Sequence, residues 1–286
     1  MCDNDIHQGL VEDWSVTRRM FIATGAAVGL SSAACAATTD VTEKDVSIQT
    51  PDGSADAALF YPSGTGSWPA VLVWADIMGL RPVFREMARR LAAEGYVVLV
   101  PNPFYRSRKA PVVDGGFNFN DPEARKVLFD YRAAMTDDGV DRDAVAYLSF
   151  LDAQPQVNKS RKVGVQGYCM GGPLSFRTAA AVPGRIGAVG SFHGGGLTTD
   201  QPSSPHLLIP KTNAAYLIAV AKNDDARDPE SKNILSAAFK AAGKKATVEV
   251  YPADHGWCVP GSQAYEHNAA EKAWSELLSL YRSALA

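Results

Sequence analysis

Runs of apolar residues with no polar alternation, each followed by a helical stretch, restrict what this chain can fold into. Ala70 to Ala75 (AVLVWA) and Tyr96 to Val100 (YVVLV) are the clearest of them. A strand that is apolar at successive positions must be covered on both faces, so it belongs in a sheet between helices. Lys162–Gln166, Ala188–Phe192, Ala215–Val220 and Ala246–Tyr251 read as further strands. Helical patterns separate them at Val83–Glu94, Pro122–Met135, Asp138–Asp152, Gly172–Val182 and Pro229–Ala242, and a last helix runs from about Gln263 to Ser283. This alternation predicts the α/β class: one domain with a mostly parallel central sheet, right-handed crossovers and helices on both faces. Ahead of it, Val46, Ile48, Ala58, Phe60 and Tyr61 mark two short strands turned at Pro51-Asp52-Gly53. Residues 107–121 read as a loop rich in Gly, Pro and Asn.

The N-terminus has a different character. Thr17-Arg18-Arg19-Met20-Phe21-Ile22 precedes an Ala/Gly-rich run from Ala23 to Ala37, and Ala34-Cys35-Ala36 offers the small residues of a cleavage site. Residues 1–36 therefore read as a twin-arginine-type signal peptide, 37–43 as a linker and 44–286 as the domain. The run is short and poor in Leu and Phe, so no stable membrane insertion is expected once it is removed. The pattern implies a bacterial protein carried to the periplasm by the twin-arginine translocon. Removal leaves roughly 250 residues, enough for one large α/β domain. A net charge of −3 with no basic run gives no footing for nucleic acid. Cys2 and Cys35 lie in the leader, and the two that remain, Cys169 and Cys258, are expected to be free thiols.

Gly167-Tyr168-Cys169-Met170-Gly171 follows the strand at Lys162–Gln166 and precedes a helix. That is the strand, sharp turn and helix of a nucleophile elbow, with cysteine in the serine's usual place. Small residues flank such a nucleophile because the tight turn leaves no room for Cβ atoms beside it. A thiol nucleophile needs a base, and the base needs a group to orient it. In an elbow-bearing sheet the acid follows one βα unit later and the histidine follows the acid. Asp224 stands just after the strand Ala215–Val220, with Asp225 beside it as the weaker choice. His255 stands just after Ala246–Tyr251. His7 lies in the leader, His206 and His267 lack a ligand-like grouping, and neither a metal nor a cofactor is expected. The backbone amides of Met170 and Ile77 fall where an oxyanion hole is needed.

Several separated segments together resemble the dienelactone hydrolase (carboxymethylenebutenolidase) family across residues 44–286. They are Gly167–Gly172, Ala75-Asp76-Ile77-Met78-Gly79, Pro101-Asn102-Pro103-Phe104-Tyr105-Arg106, Ala221-Lys222-Asn223-Asp224 and Asp254-His255-Gly256-Trp257. Ser191-Phe192-His193-Gly194-Gly195-Gly196-Leu197 looks like a variant within that family, its glycines forming a loop near the site. The resemblance implies an α/β-hydrolase fold and hydrolysis of a cyclic enol ester. It also implies that a carboxylate at Asp76 hydrogen-bonds the resting thiol and that Arg106 grips a substrate carboxylate. Two departures stand out: Asp76 replaces a glutamate, and Val259 replaces a second arginine. The expected function is a cysteine-dependent hydrolase of small ester or lactone substrates, with or without a carboxylate. The alternatives are a general carboxylesterase or thioesterase, and a non-catalytic redox-responsive protein in which Cys169 pairs with Cys258.

Overall fold

The continuous apolar runs become the inner strands of one sheet. The computed structural model describes residues 39–114 and 117–286, so the signal-peptide and cleavage-site assignments fall outside the described residues. In chain order the strands are β1 (Val41–Thr50), β2 (Gly53–Pro62), β3 (Ala70–Trp74), β4 (Val97–Pro101), β5 (Val163–Tyr168), β6 (Ile186–Phe192), β7 (Ala215–Ala221) and β8 (Ala246–Tyr251). The helices are α1 (Pro82–Ala93), α2 (Pro122–Ala133), α3 (Asp137–Ala153), α4 (Gly171–Ala181), α5 (Lys222–Arg227), α6 (Ser231–Ala241) and α7 (His267–Ala284), with a 3₁₀ helix at Pro205–Lys211. The sheet order is β1-β2-β4-β3-β5-β6-β7-β8. β1 pairs antiparallel with β2, and β2 with β4, while the remaining pairs are parallel.

Every residue of β3, β4, β5 and β6 is buried. Successive side chains enter opposite layers, as the two-residue period of a strand requires. Leu72, Trp74 and Val165 join one apolar cluster with Leu174 and Phe176 of α4. Val71, Val73 and Tyr168 join the other with Phe84 of α1 and Leu277 of α7. Helix ends follow local chemistry. Pro82 occupies the first turn of α1, where its missing N–H costs nothing, and Gly95 ends that helix at φ 91°. Thr136 caps α3 through the Gly139 amide at 3.1 Å, and Glu266 caps α7 through Asn268 and Ala269.

The structure differs from the sequence expectation in three places. β1 begins at Val41, so the last three residues assigned to the linker are strand, and the leading hairpin has ten residues on each side. Pairing of Val41, Thr42 and Glu43 with Pro62, Tyr61 and Phe60 extends the ladder. The Glu43 carboxylate also meets Arg85 at 2.6 Å and contacts Arg89, tying β1 to α1. The 3₁₀ helix and α5, with 7 and 6 residues, are too short to register a periodic pattern.

α4 approaches the sheet so closely that glycine is obligatory at two points. A Cβ on Gly167 would lie 1.9 Å from the Gly171 carbonyl oxygen, and one on Gly171 would lie 2.3 Å from that of Trp74. Both obstacles are backbone, so relief requires moving a helix. We predict that Gly171→Ala lowers unfolding free energy by roughly 3 kcal/mol, the upper range for overpacking. A urea melt with an unshifted midpoint would show that the contact is not limiting.

Candidate active site

The sharp turn after β5 holds Cys169 at φ 51°, a left-handed conformation that few non-glycine residues adopt. Backbone hydrogen bonds stitch the strand ends around it. Cys169 N–H donates to Phe192 O at 3.0 Å, His193 N–H to Ala219 O at 2.8 Å, and Lys222 N–H to Ala253 O at 2.9 Å. The segments after β5, β6, β7 and β8 therefore meet along one edge, the carboxyl edge where open α/β sheets carry their sites. Cys169 is nearly buried and α4 begins just beyond it.

Asp224 lies in the first turn of α5, and its Oδ2 accepts from His255 Nδ1–H at 2.8 Å. The His255 main-chain N–H donates to Asn223 Oδ1 at 2.8 Å, which fixes the loop that carries the ring. The Cys169 sulfur lies near enough to act on the charge of the imidazole, while His255 Nε2 has no hydrogen-bond partner among the described residues. Burial works against charge on His255. The nearby Cys169 sulfur and the bond to Asp224 outweigh it, pushing the imidazole up to about 10. Asp224 and His255 are thus joined by a hydrogen bond, with Cys169 near the same ring. Asp225 is turned away, paired with Lys232 at 2.5 Å.

Met170 and Ile77 are both buried and belong to the same apolar cluster as Cys169. Among the described residues, no hydrogen bond uses either backbone amide. The Ile77 loop is held by Asp76, which lies differently from the sequence expectation. Its carboxylate is fully buried and receives Arg81 in a fork at 2.7 and 2.9 Å, with the Met78 amide at 2.9 Å. A short aspartate beside a fixed guanidinium pairs with it, and no contact with the thiol is found among the described residues. Asp76 therefore shapes the loop that presents Ile77.

Arg106 also departs from expectation. Its guanidinium meets Asp143 at 2.7 and 2.8 Å, Asp52 at 2.6 Å and the Gly139 carbonyl at 3.2 Å. Burial pulls the arginine down, but the bonds to Asp143 and Asp52 hold it above its ordinary value. Burial also pushes the Asp143 carboxyl up, against the pull of Arg106 and Tyr105. The positive charge is satisfied inside the protein, by residues of α3 and the β1–β2 turn that sequence spacing gives no means of pairing with it. Val259 is buried at 1% exposure.

Both Cys169 and Cys258 are free thiols, and they lie in different apolar clusters. An apolar cavity of about 260 Å³ lies between α1 and α7, lined by Met87, Tyr168, Phe192, Cys258, Trp274 and Leu277. Cys169 is not part of its wall, so this cavity is separate from the turn that carries Cys169. Sequence reasoning assigned no role to His193, which proves to be wholly buried with its ring centroid 4.6 Å from that of His255. The available signal was a histidine inside an otherwise glycine-rich turn. Among the described residues, no group of His, Cys, Asp and Glu has the arrangement of a metal site, and no helix is long and apolar enough to cross a membrane.

The profile of the Dienelactone hydrolase family matches residues 55–285. A Synechocystis protein assigned as a carboxymethylenebutenolidase is 27% identical over 79% of this chain and 91% of its own. The carboxymethylenebutenolidase of Pseudomonas putida is 26% identical over 80% of this chain and 91% of its own. Among solved structures, a Klebsiella pneumoniae protein assigned as a dienelactone hydrolase superposes with a TM-score of 0.74 at 22% identity, covering 85% of this chain and 99% of the other. The acylaminoacyl peptidase of Pyrococcus horikoshii shares the fold with a TM-score of 0.62 at 14% identity, over 86% of this chain and 42% of the other.

The bond from His255 to Asp224 rather than Asp225 is open to direct test. Asp224→Asn should lower kcat by roughly a hundredfold or more on any ester the protein turns over, with little change in KM. Asp225→Asn should stay within about twofold of the parent. Equal losses in the two variants would remove Asp224 from the orienting role.

Proposed function

Since the chain belongs to the dienelactone hydrolase family and is a hydrolase, we propose that it opens ester or lactone bonds through an acyl-enzyme on Cys169. The carrying observation is a cysteine in left-handed conformation near an imidazole that is bonded to Asp224 and whose other ring nitrogen is free of any partner among the described residues. In this mechanism Cys169 attacks the ester carbonyl while His255 holds the thiol proton. The amides of Met170 and Ile77 stabilise the oxyanion. His255 then gives the proton to the leaving alkoxide, and the carbonyl re-forms as a thioester. Water, deprotonated by His255, attacks the thioester and releases the acid with the thiol restored.

The name carboxymethylenebutenolidase, carried by the relatives, denotes action on a lactone bearing a carboxylate. Here the charge of Arg106 is matched by Asp52 and Asp143, and Val259 supplies none. These features favour substrates without a carboxylate, of the kind taken by a general carboxylesterase. The redox alternative draws less support. Burial pushes the Cys258 thiol well above its ordinary range, the opposite of what a resolving thiol needs.

We also propose that the protein works in the periplasm, on the strength of the twin-arginine pattern at Thr17–Ile22. Fractionation of a bacterial host should find the full chain outside the inner membrane and an Arg18→Lys, Arg19→Lys variant inside it. The same distribution for both would end that proposal.

Mass spectrometry tests the chemistry. Brief incubation with p-nitrophenyl acetate or with dienelactone should leave an acyl group on Cys169, absent in Cys169→Ala, which should be inactive but folded. The uncharged ester should be turned over with a kcat/KM about tenfold or more above that of the anionic lactone, the scale of one lost charged contact. Residual turnover in Cys169→Ala would sink the nucleophile, and a preference for dienelactone would sink the substrate class.

A further inference from the structure

His193 is expensive to keep where it is. It follows β6 at φ 40°, again the left-handed region, although three glycines come directly after it and one could have taken the turn. Its side chain is wholly buried, and neither Nδ1 nor Nε2 has a hydrogen-bond partner among the described residues. A strained backbone and two unpaired ring nitrogens in one residue are a double cost that a glycine would avoid. The ring lies against the catalytic imidazole, with centroids 4.6 Å apart and planes tilted by 60°. Its other neighbours are Trp257, edge-on at 5.3 Å, and Tyr168 at 6.1 Å.

We propose that His193 is a positioning residue: its uncharged imidazole is the polar floor on which the His255 ring is seated and held charged during turnover. This rests on the Cys169–His255 mechanism above. When His255 takes the thiol proton, a positive charge appears on a buried ring. The titratable groups facing the two imidazoles are Tyr168 and Cys169 from the end of β5 and Asp224 from α5, and Trp257 from the loop after β8 closes the side. Asp224 holds one edge of His255, the Cys169 sulfur lies nearby, and His193 packs against the ring. An imidazole has a strong dipole and lone-pair nitrogen that a benzene ring of similar size lacks. Burial, and then the charge on His255, keep His193 well below the ordinary histidine range. Beyond the one N–H of each neutral ring, the pair therefore takes up one extra proton at most, and it resides on His255.

The test is a ¹⁵N-histidine NMR titration of the full chain, run beside steady-state kinetics. The variants are His193→Gly, which suits the backbone and removes the ring, His193→Phe, which keeps a ring without nitrogen, and His193→Asn, which keeps a polar group at a position where asparagine tolerates positive φ. In the parent, His255 should titrate well above the roughly 6.5 of a free histidine. In the Gly and Phe variants its midpoint should fall by about one pH unit, with kcat down about tenfold and KM unchanged. The Asn variant should keep the parental midpoint. One of the lossy variants removes bulk and the other adds it, so whichever folds, judged by its melting curve, decides the matter. An unmoved midpoint in that variant, or an equal shift in Asn, would reduce His193 to filler. A parental His255 with an ordinary midpoint would instead bring down the thiol–imidazole mechanism itself.

Discussion

The close approach of α4 to the ends of β3 and β5 governs everything at the site. With no Cβ at Gly167 or Gly171, the first turn of the helix can rest on the carbonyls of the sheet. Between those two glycines Cys169 takes its left-handed conformation, with the Met170 amide next in the chain. Backbone bonds from Cys169, His193 and Lys222 to the neighbouring segments then lock successive strand ends into one edge. The strain is localised in two residues and is resisted by a sheet buried on both sides, which is how a packed scaffold holds an unfavourable conformation.

Charge is handled differently in the framework and in the catalytic chain. Asp76 with Arg81, and Arg106 with Asp52 and Asp143, are matched ion pairs at short distances. Buried or half-buried pairs of this sort add little net stability, but they fix loops, because separating one partner leaves a charge without solvent. The first pair holds the loop of Ile77, and the second ties the segment after β4 to α3 and the leading hairpin. In the proposed catalytic chain the charge rests on a titratable ring instead. His255 lies between a carboxylate and a sulfur, so its charge depends on what the sulfur is doing.

Much of this was legible from the chain. Consecutive apolar positions specify a doubly covered sheet, and the spacing of small residues around Cys169 specifies the turn. The order of Cys169, Asp224 and His255 identifies residues at three strand ends that the topology brings to one edge. The choice of Asp224 over Asp225 agrees with the observed hydrogen bond. The short elements were invisible because six or seven residues carry too little periodic signal.

Asp76 and Arg106 show where linear reading fails. The segments around them are recognisable, but what each side chain touches depends on partners distant in sequence or on a backbone turn. Asp52 and Asp143 stand 54 and 37 residues from Arg106. His193 is the same case, since burial and a neighbouring ring make a turn residue chemically notable. The amino-acid sequence by itself determined the architecture and pointed to the residues proposed to react, because these follow from local periodicity, turn sterics and chain order. Tertiary structure alone decided which charges are neutralised and which imidazole lies beneath another. Electrostatic partners are chosen by distance and burial in space, and neither is written along the chain.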